Sequence, residues 1–237
     1  MSQAGTTRES TGNRLLAALP PREYQRLLPY LKPVALPFGD ILYEPGELIR
    51  HVYFPNQGIV SLLSVAEKRS TLEVGVVGNE GMVGISIFLG AREALNRALV
   101  QGAGMAMRMT AQAFRTQIGD HGPLPNLLRR YTHTLLAQIS QTAVCNRFHK
   151  VDARLARWLL MTQDRLGTDE FPLTQKFLSD MLGVRREGVT DAARSLQQAK
   201  LIHYVRGRIF VLKRSGLEAV ACQCYEKVRL EAMGGRA

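Results

Sequence analysis

The sequence predicts an α+β protein with an N-terminal antiparallel β-roll of the jelly-roll type, a long helix and a C-terminal winged helix-turn-helix. Short runs of Val, Ile, Leu and Phe alternate with glycines across residues 34–115, as expected for short strands joined by turns. An apolar repeat follows Pro123, and two short helical patterns meet at Gly183 before a hairpin pattern. The predicted boundaries are a disordered tail at 1–13, the β-roll domain at 14–122, the long helix at 123–150 and the winged domain at 151–237.

Composition narrows the class of protein. The 237-residue chain has 31 Lys and Arg against 20 Asp and Glu, a net charge of +11, which suggests a polyanionic partner. Its three cysteines, Cys145, Cys222 and Cys224, are too few for a disulfide framework and fit a reducing cytoplasm. The sequence has neither the pattern of a signal peptide nor an apolar run long enough to cross a membrane. We therefore expect a soluble, cytoplasmic protein with no membrane partner.

The N-terminal region divides by its apolar spacing. Residues 1–13 are polar and have no apolar period, which predicts the disordered tail. The leucine spacing across residues 14–31 predicts two short helices. In the β-roll, Phe38-Gly39-Asp40 is a turn signal, and a short helix from Thr110 to Ile118 should lead out of the domain.

The long helix carries a repeat that is typical of a dimer interface. Pro123 and Pro125 can occupy its first turn, where amide hydrogens have no partner within the helix. Seven residues then recur at alternating steps of four and three, the spacing of a coiled-coil seam: Leu124, Leu128, Tyr131, Leu135, Gln138, Thr142 and Cys145. This repeat predicts a dimerisation helix and a homodimer. The alternative is a helix packed against its own domain.

Residues 173–212 have the pattern of a helix-turn-helix followed by a wing. Thr174 is a good N-cap for the first helix, and Gly183 can adopt the positive φ that a tight turn between helices requires. Apolar residues at helical spacing form a predicted seam between the two helices: Leu178, Leu182, Val184, Val189, Ala192 and Leu196. The seam fixes which face of the second helix remains exposed.

That exposed face predicts binding to double-stranded DNA. The start of the second helix presents arginines, a glutamate and a threonine, groups that can reach base edges and phosphates. Two strand-like runs then flank Arg206-Gly207-Arg208, a hairpin whose arginines suit phosphate contact. The candidate DNA-binding residues are Thr174, Arg185, Arg186, Glu187, Thr190, Arg194, Arg206 and Arg208. An ordinary αα-hairpin with a solvated basic tip is the alternative.

The order of these parts resembles the Crp/Fnr family of bacterial transcription regulators. The most specific pieces are Val-Asp-Ala-Arg-Leu-Ala at 151–156 and Gly-Val-Arg-Arg-Glu-Gly-Val-Thr at 183–190. Arg186 and Glu187 match the Arg-Glu pair that the family presents to base edges, whereas Asp191 replaces a further family arginine. The resemblance implies a homodimer on a near-palindromic operator that recruits or blocks RNA polymerase, and it implies no enzyme activity.

The resemblance also implies an effector pocket in the β-roll, with one important departure. Members that bind cyclic nucleotides use a Gly-Glu element for the ribose and a later arginine for the phosphate. Gly84 keeps the glycine, Ile85 stands where the carboxylate should be, and Arg97 is the candidate phosphate ligand. Because an apolar side chain cannot replace the ribose-binding acid, we expect a small-molecule effector other than cyclic AMP.

We expect neither a cofactor nor a metal site. Iron–sulfur members of the family need four cysteines, several near the N-terminus, and Cys222-x-Cys224 supplies two ligands where zinc needs four. A cupin-like metalloenzyme with an incidental basic surface is one alternative, although the β region lacks a cluster of His and carboxylate ligands. The other is a DNA-binding protein whose β-roll is a dimer scaffold without a sensing role.

Overall fold

A computed structural model describes residues 12–66, 70–119 and 121–232. The chain divides into two compact units. The first unit holds the described residues up to Leu62 together with Val76–His133. The second unit holds Leu63–Gly75 and the described residues from Thr134 onward. Within the described ranges, none of the helices combines the length and the apolar character that crossing a membrane requires.

Two short helices open the described chain, α1 (Arg14–Ala17) and α2 (Pro21–Leu27). Asn13 caps α1, because its side-chain oxygen accepts hydrogen bonds from the Leu15 and Leu16 amides, and its amide nitrogen donates to Pro55 O at 2.9 Å. Asn13 is fully buried, so the predicted disordered tail at 1–13 extends too far at its C-terminal end. Residues 1–11 of that tail lie outside the described residues.

An antiparallel sheet follows, as the glycine-punctuated runs predicted. Its strands are β1 (Lys32–Leu36), β2 (Ile41–Tyr43), β3 (His51–Val65), β4 (Thr71–Val77) and β5 (Arg97–Thr110). The strand order is β1-β5-β3-β4, and β2 also pairs with β5. Two helices accompany the sheet, α3 (Ile85–Phe88) and α4 (Ala111–Ile118). Helix α4 forms where a short helix was predicted, and Thr110 is its N-cap.

The long helix α5 (Pro123–Phe148) forms as predicted, but its repeat has a different partner. All seven residues of the predicted coiled-coil seam are already buried within the single chain: Leu124, Leu128, Tyr131, Leu135, Gln138, Thr142 and Cys145. In the first unit the Tyr131 hydroxyl donates to Met82 O at 3.1 Å. In the second, a Cβ added at Gly75 of β4 would lie 3.2 Å from Leu135, so the strand approaches α5 closely. The prediction that these residues face a second protomer is wrong.

The rest of the second unit is a small helical domain with a three-stranded sheet. Its elements are α6 (Val151–Leu166), β6 (Glu170–Pro172), α7 (Gln175–Leu182), α8 (Arg186–Gln198), β7 (Ile202–Val205), β8 (Arg208–Val211), α9 (Arg214–Val220) and α10 (Cys224–Ala232). Strand β6 pairs with β8, so the wing has a third strand that the hairpin pattern could not predict. The nearly complete burial of α6 from Arg154 to Gln163 makes this helix the centre of the domain.

Candidate nucleic-acid interface

The helix-turn-helix is built on the seam that the sequence predicted. Its seam side chains are buried, except for the half-buried Val184. The Thr174 hydroxyl caps α7 by accepting from the Phe177 amide at 3.1 Å, and Gly183 ends the helix with φ of 60°. The Val184 amide then donates to Ser179 O at 3.1 Å, which closes the turn before α8. The turn and the seam together fix how α8 is presented.

The start of α8 leaves the predicted base-reading residues exposed. Arg185 is the N-cap residue, and Arg186 and Glu187 are the first two residues of the helix. All three side chains are exposed, while Val189 behind them is buried. A guanidinium and a carboxylate therefore project from the same helix end into solvent, where an arginine can bond both guanine acceptors and a glutamate can accept from cytosine.

Two further candidates on α8 are already engaged with the helix itself. The Thr190 hydroxyl donates to Arg186 O at 2.9 Å, and Arg194 lies 3.4 Å from the Asp191 carboxylate. Side chains of Arg194 and Asp191 are 63% and 72% exposed, so solvent screens this pair and either partner can be drawn to another charge. Asp191 therefore weakens the cationic character of α8 one turn after Arg186.

The wing brings its two arginines to a tight turn beside α7. Arg206 and Gly207 join β7 to β8 with φ values of 49° and 75°, the two positive angles of a type I′ hairpin. The Leu173 amide donates to Gly207 O at 2.8 Å, which holds the turn close to the start of α7. The exposed Arg206 projects from the turn, whereas Arg208 forms an ion pair with Glu170 of β6. The two predicted phosphate ligands thus differ in their intramolecular partners.

Tyr204 is a candidate residue of the nucleic-acid interface that the sequence did not indicate. Its amide donates to Gln197 Oε1 of α8 at 2.7 Å. Partial burial raises the pKa of Tyr204, while the Gln175 backbone and the charge of Arg186 act in the opposite direction, so its phenol lies near the recognition residue. Strand alternation was the available signal, because it places Tyr204 on the same face as the buried Ile202.

In the first unit, the structure places the predicted effector residues in two settings. Gly84 precedes α3 with φ of 94°, a conformation that favours glycine, and the half-buried Ile85 is the first residue of α3. Arg97 opens β5, where its Nε donates to Glu44 Oε2 at 2.8 Å. The guanidinium that would hold a phosphate is therefore paired with a carboxylate.

Comparison with known proteins agrees with this arrangement. Residues 153–220 match the family model of the Crp-like helix-turn-helix domain. A structure described as a transcriptional regulator of the Crp/Fnr family from Eubacterium rectale is 18% identical, covering 88% of this chain and 98% of that chain with a TM-score of 0.68. FixK2 from Bradyrhizobium japonicum is 15% identical over 81% of this chain and 98% of its own, also with a TM-score of 0.68.

A third solved structure has the same fold and a stated ligand response. The regulator CLP of Xanthomonas campestris, described as c-di-GMP responsive, is 17% identical over 80% of this chain and 98% of its own, with a TM-score of 0.66. At such identities these structures establish a shared fold. Among curated proteins, no sequence matches the chain.

Proposed function

We propose that the chain, which carries a Crp-like helix-turn-helix domain on a fold shared with Crp/Fnr regulators, is a DNA-binding transcription regulator of the Crp/Fnr type that acts as a homodimer on a near-palindromic operator. The observation that carries the proposal is the exposed Arg186-Glu187 pair at the start of α8, with the buried seam behind it. The wing adds Arg206 and Arg208 for phosphates, and Arg185 supplies a third. Bound in this way in the cytoplasm, the protein recruits or blocks RNA polymerase.

The dimer in this proposal uses the face of α5 opposite the buried repeat. Apolar side chains on that face are unusually exposed, with Leu136 at 59%, Val144 at 44% and Phe148 at 72%. Leu136 and the exposed Ala143 are seven residues apart, so they stay aligned along one side of the helix. A second copy of α5 would cover this stripe, and two-fold symmetry would then match two half-sites centred about 34 Å apart.

The effector in this proposal is a small molecule other than cyclic AMP. Ile85 offers no acceptor to a ribose hydroxyl, and the Arg97 guanidinium is paired with Glu44. The regulator CLP, which has this fold, is described as c-di-GMP responsive. In this proposal the β-roll residues select the ligand, with Gly84, Ile85 and Arg97 as the candidates.

The decisive experiment is selection of bound sequences from a random duplex library at a fixed salt concentration, with and without cyclic AMP. We expect a near-palindromic motif that is the same in both conditions. A motif that emerges only with cyclic AMP would contradict the assignment of the effector, and a motif without a two-fold repeat would contradict the homodimer. Binding without any sequence preference would contradict base reading by Arg186 and Glu187.

A second experiment tests the dimer face. Leu136→Glu places a charge in the apolar stripe, so we expect sedimentation equilibrium to show a monomer and operator affinity to fall by at least tenfold. Leu95→Glu is the matched control, because Leu95 is an 80% exposed apolar residue of the first unit that is not part of α5. If both variants remain dimers, the exposed stripe of α5 is not the interface.

A further inference from the structure

Four potential metal ligands meet at the end of α5. They are Cys145 and His149, one helical turn apart in sequence, Cys222 from the segment between α9 and α10, and Cys224, the first residue of α10. Their ligand atoms all lie within 4.8 Å of one another. Cys145 and Cys224 are buried, while His149 and Cys222 are half-buried. Three thiols and an imidazole in this space are one of the usual ligand sets of a structural zinc ion.

The separations of the ligand atoms fit a single tetrahedral ion. Sulfurs about 2.3 Å from zinc lie about 3.8 Å apart along the edges of a tetrahedron, and a sulfur and a nitrogen about 3.5 Å apart. Cys145 Sγ and Cys222 Sγ are 3.4 Å apart, as are Cys224 Sγ and His149 Nδ1. A disulfide would bring two sulfurs to about 2.05 Å, and a cluster of several irons would spread the ligands farther apart than one ion does.

The groups around the four ligands suit thiolates. Gln141 Nε2 donates to Cys224 Sγ at 3.0 Å, and Arg157 hydrogen-bonds to Cys145. Arg157 is buried, as is Arg154, whose charge also interacts with Cys145 and Cys222. Three thiolates around a divalent cation carry a net charge of about −1, which buried arginines nearby offset. The surroundings therefore supply the hydrogen bonds and positive charge that a Cys₃His zinc site needs.

We propose that Cys145, His149, Cys222 and Cys224 bind one Zn²⁺ as a closed structural site. With four protein ligands, no coordination position remains for a substrate, so the ion stabilises the fold and performs no catalysis. His149 lies directly before Lys150, the N-cap of α6, and Cys224 begins α10. The ion therefore ties the α5–α6 junction to the C-terminal helix and adds its binding free energy to the stability of the second unit.

The proposed site differs from the expectation that the chain has no metal site. The sequence displayed Cys222-x-Cys224 as a pair, and Cys145 as a member of a dimer seam. The fold buries Cys145 and brings it to Cys222, 77 residues away in the sequence, and to the neighbouring Cys224. The spacing Cys145-x₃-His149, which puts both ligands on one face of a helix, was the signal that could have indicated the site.

Metal analysis of the full-length protein, purified without chelator and then dialysed against equimolar Zn²⁺, tests the proposal. We expect about one zinc per chain, falling below about 0.2 in Cys224→Ser and His149→Gln because three ligands hold zinc much more weakly than four. His121→Gln is the matched control, since His121 is exposed and remote in sequence from all four ligands, and it should keep full stoichiometry.

Because a variant can lose zinc simply by failing to fold, a second measurement uses the chain without substitutions. Cobalt added to the metal-free protein should give the visible absorption of a tetrahedral site and a thiolate-to-metal charge-transfer band. Full zinc content in Cys224→Ser and His149→Gln, or the absence of both cobalt bands, would overturn the proposal. A thiol titration that finds a Cys145–Cys222 disulfide and no zinc in protein kept under reducing conditions would also overturn it, in favour of a redox pair.

Discussion

The helix-turn-helix and the long helix α5 both bury an apolar stripe. The segments that cover the stripe are near in sequence in the first case and distant in the second. In the helix-turn-helix, α7 and α8 cover each other through residues such as Leu178 and Leu196 that are close in sequence. In α5, the buried stripe is covered by segments distant in sequence, as at Gly75 of β4, and the opposite face remains exposed at Leu136. Periodicity therefore identifies a buried face, and the partner that buries it depends on the rest of the chain.

The same distinction applies to charged groups. Arg186 and Arg206 project into solvent, whereas Arg208 pairs with Glu170 and Arg97 pairs with Glu44. The sequence alone does not distinguish an arginine that projects into solvent from one that is paired with a carboxylate, because both carry the same charge. Its availability to DNA or to an effector depends on whether the fold brings a carboxylate beside it.

The largest expected effect is a difference in the free energy of unfolding between variants at two adjacent leucines of α5. Leu135→Ala should lower the free energy of unfolding by about 2–5 kcal/mol, because Leu135 is 6% exposed and its removal leaves a cavity. Leu136→Ala is the matched control and should change monomer stability by less than about 0.5 kcal/mol. Urea denaturation at low protein concentration measures both, and a larger loss for Leu136→Ala would place the buried face of α5 on the wrong side.

The next effect concerns the base-reading end of α8. Arg186→Ala should weaken operator binding by about 1–3 kcal/mol, or about 5- to 150-fold, and relax specificity at one base pair. Arg185→Ala should weaken binding to all sequences alike, because Arg185 is the N-cap residue and is expected on a phosphate. Affinities for a panel of operator variants at one salt concentration distinguish the two variants. Identical affinity profiles would contradict the assignment of Arg186 to a base and Arg185 to a phosphate.

A smaller effect is expected at the cap of the helix-turn-helix. Thr174→Ala should destabilise the second unit by about 1 kcal/mol, since the Phe177 amide loses its hydrogen-bond acceptor. Thr190→Ala is the control: its hydroxyl donates to Arg186 O within α8, so the free energy of unfolding should change by less than about 0.5 kcal/mol. Thermal unfolding of both variants without DNA provides the comparison, and equal losses would show that the cap contributes nothing beyond helix propensity.

The smallest effect distinguishes the two arginines of the wing. Arg206→Ala should reduce the slope of log affinity against log salt by about one, whereas Arg208→Ala should reduce it less because Glu170 already neutralises Arg208. Glu170→Gln should release Arg208 and steepen the slope. Binding titrations from low to moderate salt measure the slopes, and equal slopes for Arg206→Ala and Arg208→Ala would mean that DNA separates the ion pair.

Patterns confined to a short stretch of sequence predicted the structure well. The resemblance to Crp/Fnr regulators is confirmed at the level of fold and helix-turn-helix domain. Thr174, Gly183 and the seam of α7 and α8 were correctly placed because caps, turns and adjacent helices depend on neighbouring residues. The roles of the individual DNA-binding and effector residues remain predictions.

Features that join distant segments were missed or misassigned. Strand β6 of the wing was not predicted, because its three residues acquire their pairing only when β8 lies beside them. The buried repeat of α5 was assigned to a second protomer, and Cys145 was separated from Cys222 and Cys224. In each case the sequence displayed the chemical groups without the neighbour that gives them their environment.

By itself, the sequence determined the order of the elements, the buried seam of the helix-turn-helix and the basic residues at the start of α8. Local propensity, capping and periodicity act over a few residues, so they can be read along the chain. The tertiary structure alone decided which face of α5 is free, which arginines are paired and that Cys145 and His149 meet the C-terminal cysteines. These outcomes depend on contacts between residues far apart in sequence, which form only when the chain packs.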